Sequence, residues 1–265
     1  PANTSLENLA LQSHVRGGLR LGLSLERSLG TNPFQVGMIG STDTHTGFAS
    51  ADDDNFWGKM APQEPSPFRL MTLSNYDASG YAAVWAEDNT REAIFAALRR
   101  REVYATSGPR IAVRTYGGLN LPEAAIESAV FPENIQLQAV PMGGEIIGAA
   151  AGDRFSVIVE AQADPKSAYL DRIQIIKGWI DAEGQTHQSV ISIAGPSEFA
   201  TVDSQTCEPK GDGSPNLCVV WSDPEPMDNG FYYARVLENP TCRWSQRECN
   251  NFTSTTKPEG CTDSF

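Results

Sequence analysis

A chain of 265 residues, 40% hydrophobic and 20% charged, has enough apolar mass for one large domain or two modest ones with cores of their own. Its formal charge of −13 excludes partners that are themselves polyanions, so neither a nucleic-acid backbone nor an anionic membrane surface is expected. No apolar run reaches the length that a membrane-spanning helix needs.

Leu6, Leu9, Val15, Leu19, Leu23 and Leu29 recur at spacings near three and four, which predicts helix over most of residues 1–30, ended by Gly30 in a left-handed conformation. Asn32-Pro33 then turns the chain. Phe34 to Ile39 is a short apolar run bounded by Pro33 and Gly40 and reads as a buried strand. It leads into Gly40-Ser41-Thr42-Asp43-Thr44-His45-Thr46-Gly47. Side chains two apart on extended backbone point the same way, so Asp43 and His45 would project together. A carboxylate oxygen and a neutral imidazole nitrogen suit zinc, manganese or iron. The alternative is plainer: Asp43 caps a turn and His45 is an ordinary loop histidine. His14 and His187 both read as surface residues.

Residues 48–80 have little periodicity and read as a long loop, a lid over the Asp43 and His45 turn. Phe56 and Trp57 would be its apolar cover and Arg69 a contact for an anionic substrate. The run Asp52-Asp53-Asp54 reads as a solvated turn. Tyr81 to Ala86 is an expected strand, and Asn89-Thr90-Arg91-Glu92 resembles a capping box opening a helix that runs to about Arg101. Ala93, Ile94, Ala97 and Leu98 form its inner stripe, and Arg99, Arg100 and Arg101 complement the negative helix end. Val103 to Thr106 is a further strand, broken by Ser107-Gly108-Pro109-Arg110. Arg110 is either a structural ion-pair residue or a contact for an anionic substrate.

Beyond Pro109 helical periodicity gives way to short β-rich runs at Ile111–Tyr116, Phe155–Ala161, Leu170–Ile180, His187–Ile193, Leu217–Trp221 and Phe231–Leu237. Asp181-Ala182-Glu183-Gly184 is a hairpin turn. The spacing predicts an antiparallel β-sandwich over residues 109–265, and Trp179, Trp221 and Trp244 would be surface aromatics if that part were a binding or interaction module. All five cysteines lie between Cys207 and Cys261 with no Cys-x-x-Cys pair, which predicts loop-stapling disulfides, one unpaired thiol and an oxidising compartment, periplasmic or secreted.

Gly40 to Gly47, Ala83 to Glu92, Tyr104 to Arg110, Leu170 to Trp179 and Phe231 to Glu238 together resemble the C-terminal half of the domain-of-unknown-function family 3604. That family is similar to the polymerase-and-histidinol-phosphatase (PHP) superfamily of metal hydrolases. The resemblance implies that residues 1–108 are the C-terminal part of a distorted (β/α)7 barrel, followed by the sandwich. It implies divalent transition metal ions, more than one in a complete site, with Asp43 and His45 matching the last Asp-x-His motif of the barrel. The other ligands of such a site, an earlier His-x-His and middle-barrel His and Glu positions, have no match here. The expectation is a C-terminal fragment completed by an N-terminal segment or chain of the same protein. The expected activity is hydrolysis of a small anionic ester or amide by a metal-activated water, with Asp43 as ligand and proton acceptor and Arg110, Arg69 and Trp57 as substrate contacts. The alternatives are a binding module without metal chemistry, or a catalytically incomplete half of a nicked enzyme.

Overall fold

The computed structural model describes residues 14–47, 52–62, 64, 66, 68–73, 76–78, 80–121, 139–150, 152–252, 258 and 261. Helical positions Leu6 and Leu9, and the part of the long loop at 48–51, lie outside these residues.

The predicted sandwich forms the bulk of the fold. Strands β3 (Ala112–Leu119), β4 (Val140–Pro141), β5 (Phe155–Gln162) and β10 (Asn216–Ser222) make an antiparallel sheet in the order β10-β5-β3-β4. A second antiparallel sheet, β11-β6-β7, joins β6 (Leu170–Ile180), β7 (Thr186–Ala194) and β11 (Gly230–Glu238). Alternation in β5 sends Val157, Val159 and Ala161 to one face, where they meet Leu170, Ile173 and Ile175 of β6. The residue between, Ile158, joins Tyr116, Leu121 and Ala139 on the other face. The turn between β6 and β7 forms as expected, with Asp181 N–H bonded to Gln185 and Gly184 at φ 89°. A two-stranded ribbon of β8 (Thr201–Val202) and β9 (Pro209–Lys210) is too short to have left a sequence signal.

Helix α1 (Val15–Leu29) ends on Gly30 at φ 73° and lies against β6 and β7. Three arginines on it reach the second sheet: Arg16 donates to Tyr233 Oη, Arg20 to Thr186, and Arg27 to the carbonyls of Asp181 and Ala182. The first part of the chain is therefore fastened to the far face of the sandwich.

The last helix, α4 (Trp244–Asn250), reaches the other way, with Trp244 packed against Phe56, Leu70 and Ala78. Leu70 belongs to the short helix α2 (Arg69–Leu73). Disulfides Cys207–Cys242 and Cys249–Cys261 flank α4, leaving Cys218 as the free cysteine. Two bridges fit an oxidising environment. No helix among the described residues is long and apolar enough to cross a membrane.

Outside the two sheets of the sandwich lie β1 (Tyr81–Val84), helix α3 (Arg91–Arg100) and β2 (Val103–Thr106). Thr90, not Asn89, is the N-cap: its hydroxyl accepts from Ala93 N–H. The β-rich part of the expected fold is present, and a (β/α)7 barrel is not shown. The described residues form no closed barrel, and β1 and β2 pair antiparallel, whereas strands joined through a barrel helix run parallel. Phe34–Ile39 is not a buried strand either: Val36 and Ile39 are 52% and 58% exposed, and no strand is assigned over the run. An apolar run signals burial only if neighbours are there to bury it, and here Phe34 approaches Gly18 of α1 and Gly37 approaches Val103 and Arg101 while Val36 and Ile39 stay open.

Candidate functional site

The turn carrying Asp43 and His45 is built by close backbone approach. Gly40 N–H donates to Tyr81 O at 3.1 Å, and a Cβ on Gly40 would stand 2.6 Å from Tyr81 O and 2.8 Å from Thr106 O. A Cβ on Gly80 would stand 2.9 Å from Ser41 O. Only glycine lets the three backbones meet there. Beyond this crossing Asp43 adopts φ 53°, a left-handed conformation that Asp tolerates better than most residues. The chain therefore turns at Asp43 instead of continuing extended, so side-chain alternation is not what presents the two donors. Both Asp43 and His45 are solvent-exposed.

What holds the turn from beneath is Lys59, a buried residue for which the sequence offered no signal. Its ammonium donates to Thr42 O at 2.5 Å and to Ala78 O at 3.0 Å. In return His45 N–H donates to Lys59 O at 2.6 Å. The clamp grips the motif on both sides of Asp43. Burial pushes the Lys59 ammonium pKa down, and the carboxylates of Asp43 and Asp77 oppose that shift. Lys59→Met would leave two buried carbonyls without their donor, so a loss of about 1–3 kcal/mol is expected. Hydrogen exchange at the His45 amide should quicken with it, and an unchanged exchange rate would show that the turn stands without the clamp.

Arg110 lies at the same end of the ribbon. Its N–H donates to Asp164 Oδ2 at 2.7 Å, while its guanidinium lies 5.2 Å from the Tyr81 ring centroid and donates to Tyr81 Oη at 3.4 Å. Tyr81 thus connects it to the Gly40 crossing. Trp57 and Arg69 take a different position. They line a cleft with Phe56, Trp244 and Arg247. Arg69 donates to Phe56 O, pairs with Glu248, and lies over the Phe56 and Trp244 rings at 5.4 and 5.2 Å. The surface role expected for Trp244 is corrected: it is 1% exposed and stacks on Phe56 at 4.3 Å, because it is the anchor of α4 rather than a platform.

Asp43 and His45 supply one oxygen and one nitrogen donor, chemistry suited to a divalent transition metal. Both donors face solvent, so they fit as part of a coordination shell. Among the described residues, no group of three or more His, Cys, Asp or Glu side chains is arranged to hold a metal ion.

The family model described as "Protein of unknown function (DUF3604)" matches residues 2–263. No curated protein and no solved structure matches. A match that takes in the Gly40–Gly47 turn, its Lys59 clamp and the whole sandwich makes the chain a member of the DUF3604 family.

Proposed function

We propose that the chain carries one part of the centre of a metal-dependent hydrolase, PHP-like in its Asp-x-His motif and acting on a small anionic ester or amide of the phosphoesterase or amidohydrolase kind. The observation that carries this reading is the exposed Asp43 and His45 pair on a turn pinned by buried Lys59. Donors that face solvent from a fixed backbone are what a ligand set needs before its ion arrives. A divalent zinc, manganese or iron ion bound there supplies Lewis acidity and a water ionised near neutral pH. Asp43 serves as ligand and proton acceptor, His45 as ligand. Arg110, beside them at Tyr81, orients and neutralises an anionic group.

Remaining ligands would come from an N-terminal segment or chain of the same protein that completes a barrel. Exposed Val36, Ile39 and Phe95 give that partner an apolar face to cover. The two disulfides support an oxidising compartment, for which a periplasm or the outside of the cell is the proposed location.

Elemental analysis of the undenatured protein, with any chain that travels with it, is expected to find stoichiometric transition metal. Asp43→Asn and His45→Ala should lower metal content, and hydrolysis of aryl phosphates and amides by at least about 100-fold. Full retention of both by His45→Ala would sink the proposal.

A further inference from the structure

The cleft beside α4 has chemistry of its own and stands apart from the Asp43 turn. It encloses about 470 Å³, within the range of small-molecule sites. Its floor is the Phe56 and Trp244 stack. On its wall stands Trp57, 60% exposed, with its indole N–H turned aside to Asn55 Oδ1 at 2.9 Å. Around the mouth are Asp54, Arg247 and Asn251.

Arg69 and Asp53 are already met from within the cleft. Arg69 is taken by Glu248 and, at 3.6 Å, by Glu64. Asp53 accepts from Trp244 N–H at 2.9 Å and feels Arg243 and Arg247. With Asp53, Asp54 and Glu248 against Arg69 and Arg247, the lining has a small negative excess, and together with the chain's charge of −13 it repels free anions. What it offers instead is an exposed aromatic side chain edged by planar groups that both donate and accept hydrogen bonds. That combination suits a ring with one apolar face and a rim of hydroxyls.

We propose that the cleft is a binding site for a neutral saccharide, one sugar ring lying on Trp57 with its hydroxyls bonded to Asp54, Arg247 and Asn251. The site depends on no metal and does not need Asp43 or His45.

Tryptophan fluorescence and calorimetry with the full chain test this, using gluco-, galacto- and manno-configured neutral trisaccharides beside glucuronate and a sulfated glucose. At least one neutral series is expected to bind saturably, equally well in chelator and in His45→Ala. Trp57→Ala, an exposed position whose circular dichroism serves as the folding control, should weaken that binding about tenfold or more, the equivalent of about 1.4 kcal/mol, while Trp57→Phe restores most of it. The proposal is overturned if no neutral sugar binds, if only the charged sugars bind, or if Trp57→Ala binds as tightly as the parent. Loss of binding in chelator would overturn it as well, by tying the cleft to the metal centre. Failure of the hydrolase reading alone, with neutral sugar still bound, would leave it standing.

Discussion

Replacing Arg69 with methionine is expected to cost about 3–5 kcal/mol near neutral pH, and distinctly less near pH 5. The guanidinium is the nearest cation to Glu64, whose side chain is 2% exposed. Both Glu64 oxygens are buried, with Arg69 3.6 Å away and the Ser66 N–H as the polar groups that favour the carboxylate. Burial pushes the Glu64 carboxyl up from its usual range and Arg69 opposes the shift. A carboxyl raised on folding binds a proton more readily in the native state than in the unfolded one. Its contribution is complete below the unfolded pKa and is lost as pH rises through the folded value. With Arg69 gone the folded value climbs further, so the variant should regain stability as Glu64 takes up its proton. Urea denaturation of Arg69→Met from pH 5 to 8 reads this directly. A deficit equal at all pH values would show that Glu64 is not the group left stranded, and that packing against Phe56 and Trp244 accounts for the loss.

A second buried carboxylate behaves in the opposite way. Lys177 and Asp223 meet at 2.8 Å with side chains 7% and 2% exposed. Tyr232 Oη donates to Asp223 at 2.6 Å, and Lys177 also donates to Glu225 O at 2.6 Å. Burial is the largest single influence on Asp223 and works to raise it, yet the hydrogen bonds from Lys177 and Tyr232 together hold it below the usual carboxylate range. The same contact and its own burial keep Tyr232 protonated far above its ordinary pKa. Asp223 therefore contributes stability above its unfolded pKa and loses it as pH falls through the depressed folded value, below about pH 4. Lys177→Met leaves the carboxylate buried and unpaired, for an expected loss of about 3–5 kcal/mol at neutral pH. Burial then prevails, so the variant's deficit relative to the parent should shrink in mild acid as Asp223 takes up a proton. A thermal midpoint within a degree or two of the parent's would mean that water or a neighbour replaces the lysine.

The sandwich was legible because its strands are long enough for alternation to speak. Leu170–Ile180 begins and ends where apolar patterning and turn residues say, and so, outside the sandwich, does the short strand Val103–Thr106. Helix α3 was legible to within its cap, since Asn89 is the better N-cap type and only the Thr90 hydroxyl bond to Ala93 decides for Thr90. Helix α4 was missed: its few apolar positions are spent on one tryptophan and a cysteine, too few to mark a period. The Phe34–Ile39 run misled because hydrophobicity reports what a segment prefers and not what neighbours it finds. At the candidate site, Asp43 and His45 stood out as metal-donor residue types in a glycine-bounded turn. Lys59 could not, because a lysine in an aperiodic loop looks like any solvated lysine until the carbonyls of Thr42 and Ala78 are seen around it.

The anchoring of α4 on the 52–78 region sets an order of events during synthesis. Trp244 N–H closes on Asp53 across 191 residues, and its indole on Tyr76 O across 168. Contacts of such separation form late, after most of the chain has collapsed. The loop that brings Lys59 under the Asp43 turn thus waits for a helix made long after it, and for cysteines that must still find an oxidant. Until α4 docks on Phe56 and its bridges close, the Asp43 turn stands without the full support of the loop beneath it.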